Sequence, residues 1–227
     1  VVKGESFDGN KFAASALEKG CAYAIIDDPS VKPANEDRFI LVDDCLQTFK
    51  DLAREHRRQF DIPVIGITGT NGKTTTKELV AAVLSQKYNV LYTQGNVNND
   101  VGVPKTLFRL TKDREIAVIE MGASHPGDIK TLAETAEPTC GLITNVGKAH
   151  LQGFGSFEGV IKTKCELYDF LRTRENGLIF INADNDHLVD QIGDEEEIWL
   201  SPYSTDPENQ YTCISGEIIA CDPVLKF

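Results

Sequence analysis

What this 227-residue chain lacks narrows its class first. No apolar run approaches the ~20 residues needed to cross a bilayer. The opening Val1-Val2-Lys3-Gly4-Glu5 has neither the charged nor the apolar region of a secretory signal, so a soluble, cytoplasmic protein is expected. Cys21, Cys45, Cys140, Cys165, Cys213 and Cys221 form no C-x-x-C pair and sit mostly among apolar neighbours. That predicts buried reduced thiols rather than zinc ligands or disulfides. Basic residues number 23 against 35 acidic ones, and the formal charge of −12 argues against a general nucleic-acid binder, which needs a basic face to displace counterions. Anionic ligands would have to be met by local groups. The acidic run Asp194-Glu195-Glu196-Glu197 reads as a solvated loop. Internal repeats, low-complexity segments, a serine-hydrolase elbow and an N-K-x-D string for guanine selection are all missing.

What is present is a 41% apolar composition, enough for a real core, arranged as alternating strand and helix patterns. The expected fold class is α/β with a largely parallel sheet. A first unit reads as a helix near Asn10 to Lys19, strands Ala22 to Asp27 and Phe39 to Val42 separated by a loop with Pro29 and Pro33, and a helix from Asp44 to about Arg58. A break falls at Gln59 to Pro63, which divides the chain into 1–61 and 62–227. The second unit reads as strands Val64 to Ile67, Val90 to Thr93, Ile116 to Glu120, Gly141 to Thr144 and Leu178 to Ile181. Between them fall helices at about Lys73 to Gln86, Val103 to Leu110, Asp128 to Ala136, Phe157 to Leu171 and Asp186 to Ile192. After Gly193 the pattern changes to short strands, Tyr211 to Ser215 and Glu217 to Cys221, around a Ser215-Gly216 turn.

The most informative stretch is Val64 to Thr76, where a β-branched run feeds a glycine-rich turn ending in Gly72-Lys73-Thr74. Such a turn lets backbone N–H groups close on phosphate oxygens, while Lys73 neutralises charge and Thr74 can offer its hydroxyl to Mg²⁺. The helix that follows adds the positive end of its dipole. The usual spacing is G-x4-G-K-[ST]; here Ile67 takes the first glycine position and Gly66 and Gly69 flank it, so the loop belongs to a subclass. In an open parallel sheet ligands gather beyond the carboxyl ends of the strands, and the polar segments Thr68 to Thr75, Asn96 to Asp100, Glu120 to Gly122 and Asn145 to His150 all fall there.

Single residues in those segments leave choices open. Glu120 ends an apolar strand, where a carboxylate needs a cation, a salt bridge or hydrogen bonds. His150 follows a strand and is as readily a surface residue as a ligand. Lys164 lies in an amphipathic helical pattern and taken alone is an ordinary solvated lysine.

The order of the strings decides between them. GITGTNGKTTT (Gly66 to Thr76), GNVNNDVGVPKTL (Gly95 to Leu107), EMGASHPGDI (Glu120 to Ile129) and TNVGKAHLQGFGSFEGVIKTKCELY (Thr144 to Tyr168) together closely resemble the Mur ligase family. KGESFDGNKFAASALEKGCAYAI (Lys3 to Ile25) resembles the first domain of the same ligases, so the resemblance covers nearly the whole chain. It implies a small N-terminal α/β domain, part of which is 1–61, binding a UDP-sugar substrate. An incomplete P-loop ATPase-type domain, 62–227, would follow.

By position, the resemblance puts Gly69, Thr70, Asn71, Gly72, Lys73, Thr74 and Thr75 around the ATP phosphates, and Thr74, Glu120, His150 and Lys164 at Mg²⁺. Lys73, Glu120, His150 and Lys164 would carry the catalysis. Lys164 would be carbamylated by CO₂, although KCELY stands where the family usually shows K-G-E-I-F. Asn98 and Asn99 would lie near the sugar-peptide substrate. The strings favour the members that join D-Ala-D-Ala to UDP-N-acetylmuramoyl-tripeptide through an acyl phosphate, in peptidoglycan synthesis, acting as monomers without nucleic acid or membrane insertion. The alternatives are another Mur-type or folylpolyglutamate-type ligase, or a non-catalytic nucleotide-binding fragment. The chain has no initiator Met and stops within an apolar run, Val224-Leu225-Lys226-Phe227, so a fragment lacking the family's C-terminal domain is expected.

Overall fold

A computed structural model describes residues 2–4, 7–33, 36–147, 151–192, 199–206, 208–209 and 212–216. His150, Cys221, the acidic run at 194–197 and the expected strand Glu217 to Cys221 lie outside the described residues.

The chain starts with a 3-10 turn at Gly9–Phe12, capped by the Asp8 carboxylate, that runs into α1 (Ala13–Glu18). Strands β1 (Ala24–Ile26) and β2 (Phe39–Leu41) pair in parallel. Ala13, Leu17, Ala24, Ile26 and Phe39 make a small cluster of their own. The next helix, α2 (Cys45–Arg57), begins where Asp44 accepts hydrogen bonds from the N–H groups of Leu46 and Gln47, which satisfies donors that the first helical turn leaves orphaned.

Then come β3 (Val64–Thr68), α3 (Lys73–Leu84), β4 (Val90–Tyr92), α4 (Gly102–Leu107), β5 (Ile116–Glu120), α5 (Asp128–Ala136), β6 (Cys140–Ile143), α6 (Leu151–Phe154), α7 (Phe157–Arg172), β7 (Leu178–Asn182), α8 (Asp186–Val189), β8 (Trp199–Ser204) and β9 (Ile214–Ser215). Among the described residues, β3 to β9 form a seven-stranded sheet in the order β4-β5-β3-β6-β7-β8-β9. Every pairing in it is parallel. The chain steps from β3 past β5 to β4, returns, and then crosses to β6 on the other side, so the sheet changes direction around β3. A crevice at the carboxyl end of such a strand is the usual ligand position.

Helices cover both faces, and β5 is accordingly buried at each of its residues, Ile116 to Glu120. The large core runs from Val64 and Ile119 through Leu132 and Leu167 to Ile179 and Leu188. Ala53 of α2 belongs to it, because α2 packs on α4 and α5. Arg57 strengthens this join: its buried guanidinium donates to the carbonyls of Ala136 (3.1 Å), Phe60 (2.7 Å) and Glu137 (3.3 Å). It thereby caps the carbonyl end of α5 with a cation.

Expected and observed elements agree closely for α2, α3, β5, α5 and α7. Three expectations differ from what is described. β8 was not anticipated because Pro202 sits inside it, and it lies near the margin of the sheet, between β7 and the two-residue β9. The expected strand Tyr211 to Ser215 is described only as Ile214–Ser215, which pairs in parallel with β8. The thiols are free as expected among the described residues, where Cys45 and Cys165 are buried, Cys140 is half-buried, and Cys21 and Cys213, which lie outside any helix or strand, are exposed. No described helix is long and apolar enough to cross a membrane.

Candidate functional site

At the end of β3 the backbone turns through Gly69 (φ 143°) and Gly72 (φ 77°) into α3. Gly69 cannot be replaced without strain, since its φ lies in the left-handed half of the map and a Cβ there would strike Thr144 Oγ1. No side chain caps the start of α3, in contrast to α2 and α7, which Asp44 and Ser156 cap. The donors and the dipole at this helix start are therefore left for an anion.

The loop is braced from β6's exit. Thr70 N donates to Asn145 O (2.9 Å), Asn71 N to Asn145 Oδ1 (3.1 Å), and Asn145 Nδ2 returns a bond to Asn71 O (3.0 Å). Thr144 Oγ1 adds a bond to Asn71 O (2.6 Å), and Gly147 N donates to Thr70 Oγ1 (3.0 Å). The loop thus keeps its curvature through side chains about 75 residues away in sequence. Asn145 was named only within a polar segment; the contact that makes it a positioning residue is long-range, and no local pattern announces it.

Lys73 folds over this loop and donates to Gly69 O (2.8 Å) and Thr70 O (3.0 Å). Burial lowers its pKa, with Glu120 pulling the other way. Across from it, Glu120 closes β5 with its side chain only 1% exposed. Thr74 Oγ1 (3.2 Å) and Asn98 Nδ2 (2.9 Å) both donate to Oε1, while Glu120 N donates to Thr93 Oγ1 (3.0 Å). Oε2 is buried and has no hydrogen-bond partner. An orphaned carboxylate oxygen beside a threonine hydroxyl is the hard-oxygen donor set that suits Mg²⁺, so these residues fit the ion. No group of at least three His, Cys, Asp or Glu residues that could hold a metal occurs among the described residues, so a metal here would take some of its ligands from the nucleotide or from solvent.

Lys164, expected from pattern alone to be solvated, is instead buried on α7 at 3% exposure. Helical periodicity places it on the inner face with Val160 and Leu167, and α7 packs against both β6 and α5. Its ammonium lies over the Phe154 ring, 5.4 Å from the centroid. A cavity of about 30 Å³ separates it from Lys73 and is walled by Gly69, Thr70 and Phe154. Burial first, then the Lys73 ammonium, push its pKa down to about 8, against the opposite pull of Asp128 and Glu166. Glu166, two residues on, accepts from Gly127 N (2.7 Å) and Lys130 N (2.8 Å) and so caps α5.

Beside the loop opens a cleft of about 580 Å³ lined by Lys73, Asn98, Asn99, Gly122, Ser124 and, from α2, Lys50. Asn98 reaches it while holding Glu120. Asn99 uses Oδ1 to accept from Gly102 N (2.8 Å) and Val101 N (3.3 Å), which fastens the start of α4. The structure therefore gathers Gly69 to Thr75, Asn98, Asn99, Glu120 and Lys164 around one crevice, and His150 is outside the described residues. Lys77, on α3, was missed: it reads as one more polar helix residue, yet it is fully buried against Glu120.

A parallel sheet that changes direction at the strand feeding this loop puts the domain in the P-loop-like α/β class. Within that class the chain belongs to the Mur ligase family, whose middle domain matches residues 67–219. A Synechocystis sp. protein named UDP-N-acetylmuramoyl-tripeptide–D-alanyl-D-alanine ligase is 40% identical over 99% of the chain, which spans 49% of that protein. The Bacillus subtilis protein of the same name is 38% identical over 92% of the chain and 45% of its own length. Among solved structures, MurF ligase from Thermotoga maritima in complex with ADP superposes with a TM-score of 0.81 at 36% identity, over 90% of this chain and 46% of that one. The chain thus spans about half the length of the relatives it matches.

Proposed function

We propose that the chain is the nucleotide-handling part of an ATP-dependent ligase that joins D-Ala-D-Ala to UDP-N-acetylmuramoyl-tripeptide. The observation that carries this reading is the convergence of the braced loop, Lys73 and the orphaned Glu120 oxygen on one crevice that opens into the large cleft. The relatives' shared name and the ADP held by the Thermotoga protein support the choice of substrates and nucleotide. Residues 1–61 belong, in this reading, to a UDP-sugar-substrate-binding domain and 62–227 to the central ATP-binding domain. The separate apolar cluster under α1 supports that division, with α2 making the join.

The chemistry sets a charge problem. The tripeptide carboxylate must approach the terminal phosphate of ATP, and like charges ~4 Å apart repel by about 4 kcal/mol at an effective dielectric of 20. Gly69 to Thr75 hold the phosphates through backbone donors, and Lys73 leaves its loop carbonyls to neutralise a phosphate oxygen. Thr74 and Glu120, with His150, would hold Mg²⁺, which when bound supplies further charge neutralisation. Asn98 keeps Glu120 aimed, and Asn98 and Asn99 face the cleft where the sugar-peptide carboxylate would lie. Transfer gives an acyl phosphate and ADP; the amine of D-Ala-D-Ala then attacks the acyl carbon, forming the amide and releasing phosphate. No protein nucleophile is required, because positioning and charge stabilisation suffice for phosphoryl transfer.

Lys164 is the residue CO₂ would modify. Its neutral amine adds to CO₂ to give a carbamate and a proton. With a pKa of about 8 roughly one lysine in ten is neutral at pH 7, against less than about one in a thousand for an unperturbed one. The product replaces repulsion between two ammonium groups across the small cavity by attraction of Lys73 for an anion.

Phosphate release from ATP by the chain extended to its relatives' length tests the reading. Release should require both UDP-N-acetylmuramoyl-tripeptide and D-Ala-D-Ala; release indifferent to both would sink it.

A further inference from the structure

Besides Thr74 and Asn98, Glu120 has a third side-chain partner, one that the proposed chemistry does not use. Lys77 lies one turn beyond Lys73 on α3, its side chain 0% exposed. Its Nζ stands 3.8 Å from Glu120 Oε2, the same oxygen that no hydrogen bond satisfies, and Nζ itself makes no hydrogen bond. Its other neighbours are the Glu78 carboxylate at 2.9 Å, which is half exposed, and the face of Tyr92, 5.8 Å from the ring centroid. A buried ammonium and a buried carboxylate that close, without the hydrogen bond that would make the pair a good one, balance each other's charge and leave the oxygen's lone pairs open.

We propose that Lys77 is a positioning residue that stands in for the metal. It neutralises and aims Glu120 before any ion arrives, and it opposes a bare divalent cation, which would bring two further positive charges next to Lys77 and Lys73. An ion that arrives with a triphosphate carries its own compensating charge. The site would therefore select a metal–nucleotide complex over the free metal. This rests on reading Glu120 as a metal ligand.

The test uses Mn²⁺ as the probe, followed by the paramagnetic resonance signal of the free ion, on the 227-residue chain. Lys77→Met keeps the stem and removes the charge. Without nucleotide it should bind Mn²⁺ about tenfold or more tightly than the parent, and the gap should narrow when ADP is present. The metal-free Lys77→Met protein should melt lower than the parent, and Lys77→Met/Glu120→Gln should recover part of the loss, since neither charge is then left alone. A merely space-filling lysine would change the melting but not the Mn²⁺ affinity. Affinity within about twofold of the parent, together with loss of Mn²⁺ in Glu120→Gln, overturns the role of Lys77 and leaves the Glu120 reading standing. Mn²⁺ binding indifferent to Glu120→Gln removes both. Should Lys77→Met fail to fold, failure of the double variant too would show that packing and not charge is what Lys77 provides, which also overturns the proposal.

Discussion

Lys73→Ala should weaken Mg-ATP binding by about 100-fold or more, as measured by calorimetry, while the far-ultraviolet dichroism of the chain stays that of the parent. The cation stands half-buried over the loop and donates to the Gly69 and Thr70 carbonyls, bonds it can exchange for one to a phosphate oxygen. Its removal strips a charge-assisted bond from an anion already committed to the loop. The fold should not suffer, because the loop's shape is kept by Asn145, Thr144 and Gly147 rather than by the lysine. The variant also removes the second-largest cause that depresses Lys164, so the pKa of Lys164 should climb back toward its ordinary value. An unchanged affinity would remove the phosphate-loop assignment.

Lys164→Ala, in a chain extended to the relatives' length, should lose ligase activity by about 100-fold or more, and added acetate or formate should restore part of it. The rescue is the informative arm. A lysine needed for its positive charge would be rescued by amines, whereas one needed as a carbamate is replaced by the oxygens of a small carboxylate in the emptied cavity. Parental activity in the variant would end the carbamate reading.

Stability against pH gives an independent check on the same group. The folded pKa of Lys164, about 8, lies below the ordinary lysine value of 10.5, so the unfolded chain holds the proton more tightly. Holding that ammonium buried and near Lys73 therefore costs stability at neutral pH, on the order of 3 kcal/mol, and the cost disappears as pH rises from about 8 through 10.5. In CO₂-free buffer Lys164→Met should lack that rise.

Much of this is legible in the sequence. The β-branched run into Gly72-Lys73-Thr74 carries its own geometry, and Glu120 at the end of an apolar strand had to be compensated by something. The periodicities of α5 and α7 were strong enough to place both helices within a residue of their ends. What could not be read is what depends on which face meets which neighbour. Lys164 and Lys77 each occupy an ordinary helical position, and only the packing of α7 on the sheet and of α3 on β5 reveals that both are buried. Asn145 braces a loop that precedes it by 74 residues, and β8 carries a proline that argues against a strand except close to a sheet's margin.

The central claim is that this crevice activates a carboxylate by transferring phosphate to it. The most direct measurement follows the carboxylate oxygens of UDP-N-acetylmuramoyl-tripeptide, labelled with heavy oxygen, through turnover with ATP and D-Ala-D-Ala by the extended chain. The account predicts that each phosphate released carries an oxygen from the tripeptide, since cleavage of the acyl phosphate leaves the former carboxylate oxygen on phosphorus. Phosphate free of the label, with the amide formed, would contradict it.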